Sequence, residues 1–311
     1  MVAFTNRTGD SIRIILHKEN GNKVEISSLN ELGFLLEIAR YNIKYMAIHA
    51  IKKIDLYGLY LLARLGVKKA LGKDRDVERD KLVRRNGLDV AAIEIVFRER
   101  SFIAKSSKGM FFALGMLDDV FIKNQYDINE GNIRGKTIID AGANTGFFCF
   151  MCVALGAKKI YAFEPVESTY QILSSNIKDN GLASVVVPVK KAVGDVNSTA
   201  KIKHYGSCDA SASINLDRDW ESKFVEEIEI VKIDDFLKGE RVDFIKMDIE
   251  GYEEKAIFGA KDTIAKFKPV LSFSAYHKPD DKEVLPKTVL GIRSDYKIKL
   301  NKYEEEDFYC D

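Results

Sequence analysis

The chain has 311 residues, of which 46% are hydrophobic and 31% charged, with a formal net charge of +1. That composition excludes a disordered chain. The near-zero charge excludes an overall basic field that gathers nucleic acid. The length admits one large domain or two smaller ones.

The cysteines Cys149, Cys152, Cys208 and Cys310 are too few to frame a chain of this length. A reducing, cytoplasmic setting is therefore expected. The opening "MVAFTNRTGD" lacks the basic start and apolar run of a secretory signal.

In chain order, "SIRIILHKENGNKVEIS" has two alternating runs around a Gly-Asn turn, which predicts a hairpin over residues 11–27. Ser28 and Glu31 have capping-box spacing ahead of the helical pattern "LGFLLEIARY". A second helical pattern fills about 44–70. Its most apolar part, 54–67, is too short to span a bilayer and contains Asp55 and Arg64. No transmembrane segment is expected, and a core-facing helix is preferred to an interfacial one. Residues 68–86 mix basic and acidic side chains and read as a solvated helix or linker. Pattern and composition shift near residue 90. Two domains are expected: a hairpin-plus-helices region over 1–90 and a second domain over 91–311.

From Ala91, "IEIVF", "FIAKS" and "MFFAL" predict a strand meander leading into the second domain. From Gly135 onward, the strand candidates are "KTIIDAG", "KIYAFEP", "SVVVPVKKA", "VDFIKMDIEG" and "KPVLSFSAYH". Helical patterns follow Gly146, Pro165 and Gly251. That alternation predicts a doubly wound α/β sheet. The alternation over 226–233 suggests an added strand, with a short helix near "DDFLKG". The tail "YKIKLNKYEEEDFYC" suggests a closing antiparallel pair.

Such a sheet takes its ligand outside the carboxyl ends of its strands. Asp140, Glu164, Asp248, Glu250 and the pair Tyr276-His277 stand there. The first turn, D-A-G-A-N-T-G, is neither G-x-G-x-x-G nor a Walker A loop. A pyrophosphate near Asp140 would also meet like charge. S-adenosylmethionine carries no phosphate. A helix start after Gly146 suits its carboxylate, Asp140 suits its cationic part, and the glycines allow close approach. Glu164, ending the next strand, suits ribose hydroxyls, as it would in a dinucleotide enzyme.

"IIDAGANTGFF", "AFEP", "AVGD", "VKIDDFL" and "VDFIKMDIEGYEEKAIFGA" resemble the FkbM-type S-adenosylmethionine-dependent methyltransferases over about 131–277. The resemblance implies a seven-stranded, class I methyltransferase sheet. It also implies O-methyl transfer to a small molecule or a saccharide hydroxyl. By position, Asp140, Gly142, Ala143, Asn144 and Gly146 would form the methionine-side loop. Glu164 with Pro165 would hold the ribose, and Ala192 and Val193 would lie beside the adenine. Asp195 is an acceptor for the adenine amino group or simply part of a turn. The first ninety residues have no counterpart in the resemblance, and 196–223 match no segment of it.

A hydroxyl acceptor must lose a proton, and a positioned base supplies that. His277 is the first candidate by intrinsic pKa, and Asp248 is the second. Asp248 could instead orient the acceptor or the cofactor ammonium. Lys246, Asp248 and Glu250 would share one face of a strand, although Glu250 could equally cap the next helix. Asp248, Glu250 and His277 would suit magnesium or manganese, but no ligand-spacing motif is present and no metal is assigned. Cys149 and Cys152 read as small apolar packing residues. "YHKPDD" reads as a gating loop with Tyr276 as a contact. Alternatives to O-methylation are N-methylation of a protein or RNA, and a non-catalytic cofactor-binding protein. The oligomeric state is open, a homodimer being compatible.

Overall fold

Why alternating apolar residues at 12, 14 and 16 need a partner is answered by strands far away in sequence. The computed structural model of the protein describes residues 4–5, 7–18, 21–26, 90–105, 110–204, 214, 224–302 and 306–311. The capping pair Ser28 and Glu31, the helical patterns over 32–41 and 44–70, the charged segment 68–86 and Cys208 lie outside the described residues. Two compact units divide between Lys123 and Asn124.

The first unit holds strands β1 (Phe4–Thr5), β2 (Ser11–Lys18), β3 (Lys23–Glu25), β4 (Val90–Phe97) and β5 (Arg100–Lys105). They pair antiparallel in the order β1-β2-β4-β5, with β3 also on β2. The predicted hairpin is the β2–β3 pair. Ile12, Ile14 and Leu16 face Phe97, Ile95 and Ile93 across the ladder, and all six are buried. That shared apolar face draws β4 and β5 into the N-terminal sheet. The boundary expected near residue 90 therefore falls at the start of β4, within that sheet. A second difference concerns "MFFAL", expected as a strand. It lies in helix α1 (Met110–Leu117), which continues as a π-helical turn over Asp118–Ile122. A short apolar run has no period that separates strand from helix.

The second unit begins with a short helix, α2 (Glu130–Ile133), capped by the Asn129 side chain. Alternating elements follow: β6 (Thr137–Ala141), α3 (Phe147–Ala154), β7 (Lys159–Phe163), α4 (Glu167–Asp179) and β8 (Val186–Val189). Next come β9 (Ala192–Val193), β10 (Ser198–His204), β11 (Phe224–Val231) and α5 (Ile233–Leu237). The chain then returns through β12 (Phe244–Met247), α6 (Glu253–Gly259), α7 (Lys261–Phe267), β13 (Val270–Ser274) and α8 (Asp281–Ile292). It closes with β14 (Ile298–Lys302) and β15 (Glu306–Cys310).

A seven-stranded sheet runs β14-β15-β13-β12-β6-β7-β8. β15 pairs antiparallel with β14 and β13, and the other pairs are parallel. This is the doubly wound sheet that the alternation predicts, and the tail supplies the closing pair. Its core includes Ile139, Ala141, Phe163, Ile245, Met247, Leu271 and Phe273. The added strand over 226–233 is β11, which pairs with β10 and β9 in a separate three-stranded sheet.

One consequence of the winding decides where the site lies. From β6 the chain steps outward through β7 and β8, then returns to the other side of β6 as β12. The switch point is between β6 and β12, where a crevice opens at the carboxyl ends. Asp140 and Lys246 face each other there in register. Among the described residues, no helix is long and apolar enough to cross a membrane.

Candidate active site

The first turn after β6 is held by backbone conformations that side chains disfavour. Gly142 has φ +76°, Asn144 +48° and Gly146 +98°. The amides of Gly142 and Ala143 both donate to the Phe163 carbonyl, at 3.0 and 2.9 Å. A β-carbon at Gly142 would lie 1.9 Å from the Asp248 carbonyl oxygen. The turn is therefore stitched to β7 on one side and pressed against the end of β12 on the other.

Asp140 and Lys246 are both buried. The Lys246 Nζ lies 3.1 Å from Asp140 Oδ1 and donates to the Gly142 carbonyl at 2.8 Å. Cys149 Sγ lies 3.3 Å from Asp140 Oδ2. Burial works against the lysine charge, but Asp140 and Asp248 outweigh it and raise its pKa. Asp140, expected to meet the cationic part of the cofactor, is paired inside the protein with Lys246. Lys246 does not join a row with Asp248 and Glu250, because β12 ends at Met247 and its amine turns into the loop. The reason is register: a buried ammonium one strand away takes the nearest carboxylate. Burial also raises the Cys149 and Cys152 thiols well above their ordinary range, as suits packed residues.

Glu164, buried at the end of β7, accepts the Asn144 amide at 3.1 Å and the Val166 amide at 3.0 Å. Burial raises its pKa to about 7 against the pull of those two amides. Pro165 is half-buried beside it. Two more buried acceptors, Asn144 Oδ1 and Asp195 Oδ1, have no hydrogen-bond partner among the described residues. Ala192 and Val193 are strand β9, paired with Ile230 and Val231. Their side chains pack in two apolar clusters.

Beyond β12, a second group gathers. Asp248 Oδ2 accepts from the Tyr126 hydroxyl at 3.0 Å. Burial, with Asp248 beside it, keeps that phenol protonated by raising its pKa well above 10. Burial pushes the Asp248 carboxyl up, but Lys246 and His277 outweigh it and hold it below the ordinary range. His277, just after β13, places Nδ1 2.9 Å from Glu253 Oε1. Its Nε2 lies 3.7 Å from Asp248 Oδ1 and 3.8 Å from Glu250 Oε2. Burial lowers the ring's affinity for a proton, but Glu253, Asp248 and Glu250 overcome it and lift the pKa to about 9. The Tyr276 ring, partly exposed, sits 4.3 Å from the His277 ring. Glu250 has φ +55°, and Glu253 Oε1 also accepts the Ile249 amide at 2.9 Å.

Sequence reading misses Tyr126 and Glu253. Tyr126 precedes the first strand of the sheet and belongs to no periodic pattern. Glu253 had a signal in the second glutamate of "EGYE".

A seven-stranded sheet in this order, with a glycine turn at the switch point, defines a class I methyltransferase. Residues 140–297, just over half of the chain, match the methyltransferase FkbM domain, and the chain belongs to that family. S-adenosylmethionine is its cofactor. A ribosomal protein L11 methyltransferase of Thermotoga maritima is 26% identical over 134 residues, covering 42% of this chain and 48% of its own. A ribosomal protein arginine N-methyltransferase, rmt3, of Schizosaccharomyces pombe is 33% identical over 69 residues, covering 22% of this chain and 12% of its own. The chain thus spans less than half the length of these relatives. A solved structure of methyltransferase FkbM from Methylobacillus flagellatus is 23% identical, with a TM-score of 0.46, covering 62% of this chain and 47% of its own.

Proposed function

We propose that the protein transfers a methyl group from S-adenosylmethionine to a hydroxyl oxygen of a small molecule or saccharide. The observation that carries this reading is the carboxylate, phenol and imidazole group at Asp248, Tyr126, Glu250 and His277, set directly against the cofactor turn at Gly142. Carboxylates at that edge accept hydrogen bonds from hydroxyls and can take a proton from one of them.

The residues of the turn fit the cofactor. Asn144 Oδ1 and Asp195 Oδ1 are buried acceptors that suit its ammonium and its adenine amino group. Glu164 suits the ribose hydroxyls. Lys246 cancels Asp140 and fixes the Gly142 carbonyl, so both act as positioning residues.

Held there, the sulfonium would supply an activated methyl group and leave as a neutral thioether. Asp248 would take the proton that the acceptor hydroxyl gives up as its oxygen is methylated. Asp248 takes this role ahead of His277, whose Nδ1 is already engaged by Glu253. Tyr126 holds Asp248 in place, and Glu250 and Tyr276 line the acceptor side.

The test is label transfer from methyl-labelled cofactor into fractionated lysate, followed by turnover on the labelled acceptor. Asp248→Asn is expected to lower kcat by roughly 10²–10⁴-fold while cofactor Kd stays within about threefold. Full activity in that variant would remove Asp248 from the proton transfer.

A pH prediction follows from Glu164. Ribose hydroxyls donate to its charged form, so the bound state lowers a pKa that is about 7 in the free protein. Affinity is then full above that pH and declines below it. Cofactor Kd at pH 6 should be about tenfold weaker than at pH 8, one pKa unit being a factor of ten. Glu164→Gln should lack that slope. A flat wild-type profile counts against the ribose role.

A nitrogen acceptor is the second reading, because the same carboxylates would hold a cationic amine or guanidinium. The relative named as a ribosomal protein arginine N-methyltransferase points the same way. Mass spectrometry of the labelled product separates the two, since a methylated arginine or lysine would displace the oxygen reading.

A further inference from the structure

His277 Nε2 is buried, has no hydrogen-bond partner among the described residues and is aimed between two carboxylates. The side chain is 1% exposed, and its other nitrogen is engaged by Glu253. With Nδ1–H donating to Glu253, the lone pair of the neutral ring points outward from Nε2. A carboxylate behind the far nitrogen is how proteins orient a metal-binding histidine. Glu253 is itself fixed by the Ile249 amide, and Asp248 is fixed by the Tyr126 hydroxyl.

The spacing fits the same conclusion. Nε2 stands 3.7 Å from Asp248 Oδ1 and 3.8 Å from Glu250 Oε2. Those gaps are too long for hydrogen bonds. Ligands held about 2.0–2.2 Å from one ion lie about 3–4 Å apart, so the gaps match ligands sharing a cation. Glu253 belongs to the same group: Asp248, Glu253 and His277 each offer an atom within 4.8 Å of the others.

We propose that His277 Nε2, Asp248 and Glu250 form a divalent-cation site, with Glu253 as the carboxylate that orients the ring. One imidazole with two carboxylates suits Mn²⁺ best among biological cations, with Zn²⁺ as the competitor. Three protein ligands leave positions for water or an acceptor oxygen. A cation there would lower the pKa of a hydroxyl bound to it. The ligands come from three places that the fold brings together: the end of β12, the left-handed turn at Glu250, and the loop after β13.

The site shares an edge with the proposed methyl acceptor but does not depend on the acceptor being an oxygen. Mn²⁺ alone, titrated into the full chain without acceptor, tests it by calorimetry and by the electron paramagnetic resonance of free Mn²⁺. Saturable binding at one site is expected. His277→Gln should weaken it at least tenfold. Glu253→Gln should weaken it by roughly 10–100-fold, as loss of an orienting carboxylate does. Glu283→Gln, on an exposed helix face, should leave it unchanged. Retained cofactor binding in each variant shows that the fold persists. Equal Mn²⁺ binding by wild type and His277→Gln, or no saturable binding by wild type, overturns the site. If methyl transfer to a hydroxyl proceeds undiminished after chelation, the cation proposal fails while the oxygen-acceptor reading stands. If Mn²⁺ binds but only nitrogen gains label, the reverse holds.

Discussion

Asp140→Ala is expected to destabilise the protein by about 3–5 kcal/mol, the range for stranding one member of a buried ion pair. The Lys246 ammonium would be left in the sheet with no carboxylate at 3.1 Å. Its remaining bonds, to the Ala141 and Gly142 carbonyls, cannot offset a buried charge. Lys246→Met should do similar damage from the other side. The double variant Asp140→Ala/Lys246→Met should be more stable than either single one, because apolar replacements for a buried pair are often tolerated. Urea midpoints for the four proteins read the cycle directly. Cofactor affinity adds a second measure. The double variant should fold yet bind S-adenosylmethionine weakly, because nothing fixes the Gly142 carbonyl. An Asp140→Ala protein within about 1 kcal/mol of wild type would mean that the pair is not a structural unit.

Gly142→Ala should have an effect of comparable size for a different reason. Its new methyl group would lie 1.9 Å from the backbone oxygen of Asp248, which no rotamer change relieves. The left-handed φ costs about 1–2 kcal/mol for a residue with a side chain. The overlap costs about 1–3 kcal/mol more. Gly9→Ala isolates the first term, because Gly9 has φ +84° and open space around it. Thermal melts and cofactor calorimetry should show a modest change for Gly9→Ala and a large loss of both stability and binding for Gly142→Ala. Similar behaviour in the two variants would show that the contact with Asp248 yields without consequence.

Some of this site is legible in the sequence. Strand alternation with helices places Asp140, Glu164 and Asp248 at one edge, because the carboxyl ends of a doubly wound sheet are where such chains stop. Which way a side chain faces there is not legible. β6 is buried at every position, so its pattern marks no inner or outer face. The inward turn of Asp140 depends on Lys246, a residue more than a hundred positions away. Long-range pairing also decides the fate of β4. Its sequence reads as a strand, but only the ladder with β2 assigns it to the first unit. Tyr126 is hidden for a simpler reason, since one aromatic residue in a connecting segment has no period to detect.

The contact between Gly142 and Asp248 also bears on how such a protein could change its acceptor. It joins the turn proposed to hold the cofactor and the residue proposed to take the proton into one block, with Phe163 and Lys246 bracing the other sides. Substitutions inside that block disturb cofactor and acceptor together. New specificity has room to arise only in segments that touch the block at its rim, such as the loop carrying Tyr276. Chemistry and substrate choice thereby become separable traits, one sealed in the sheet and the other carried on its margin.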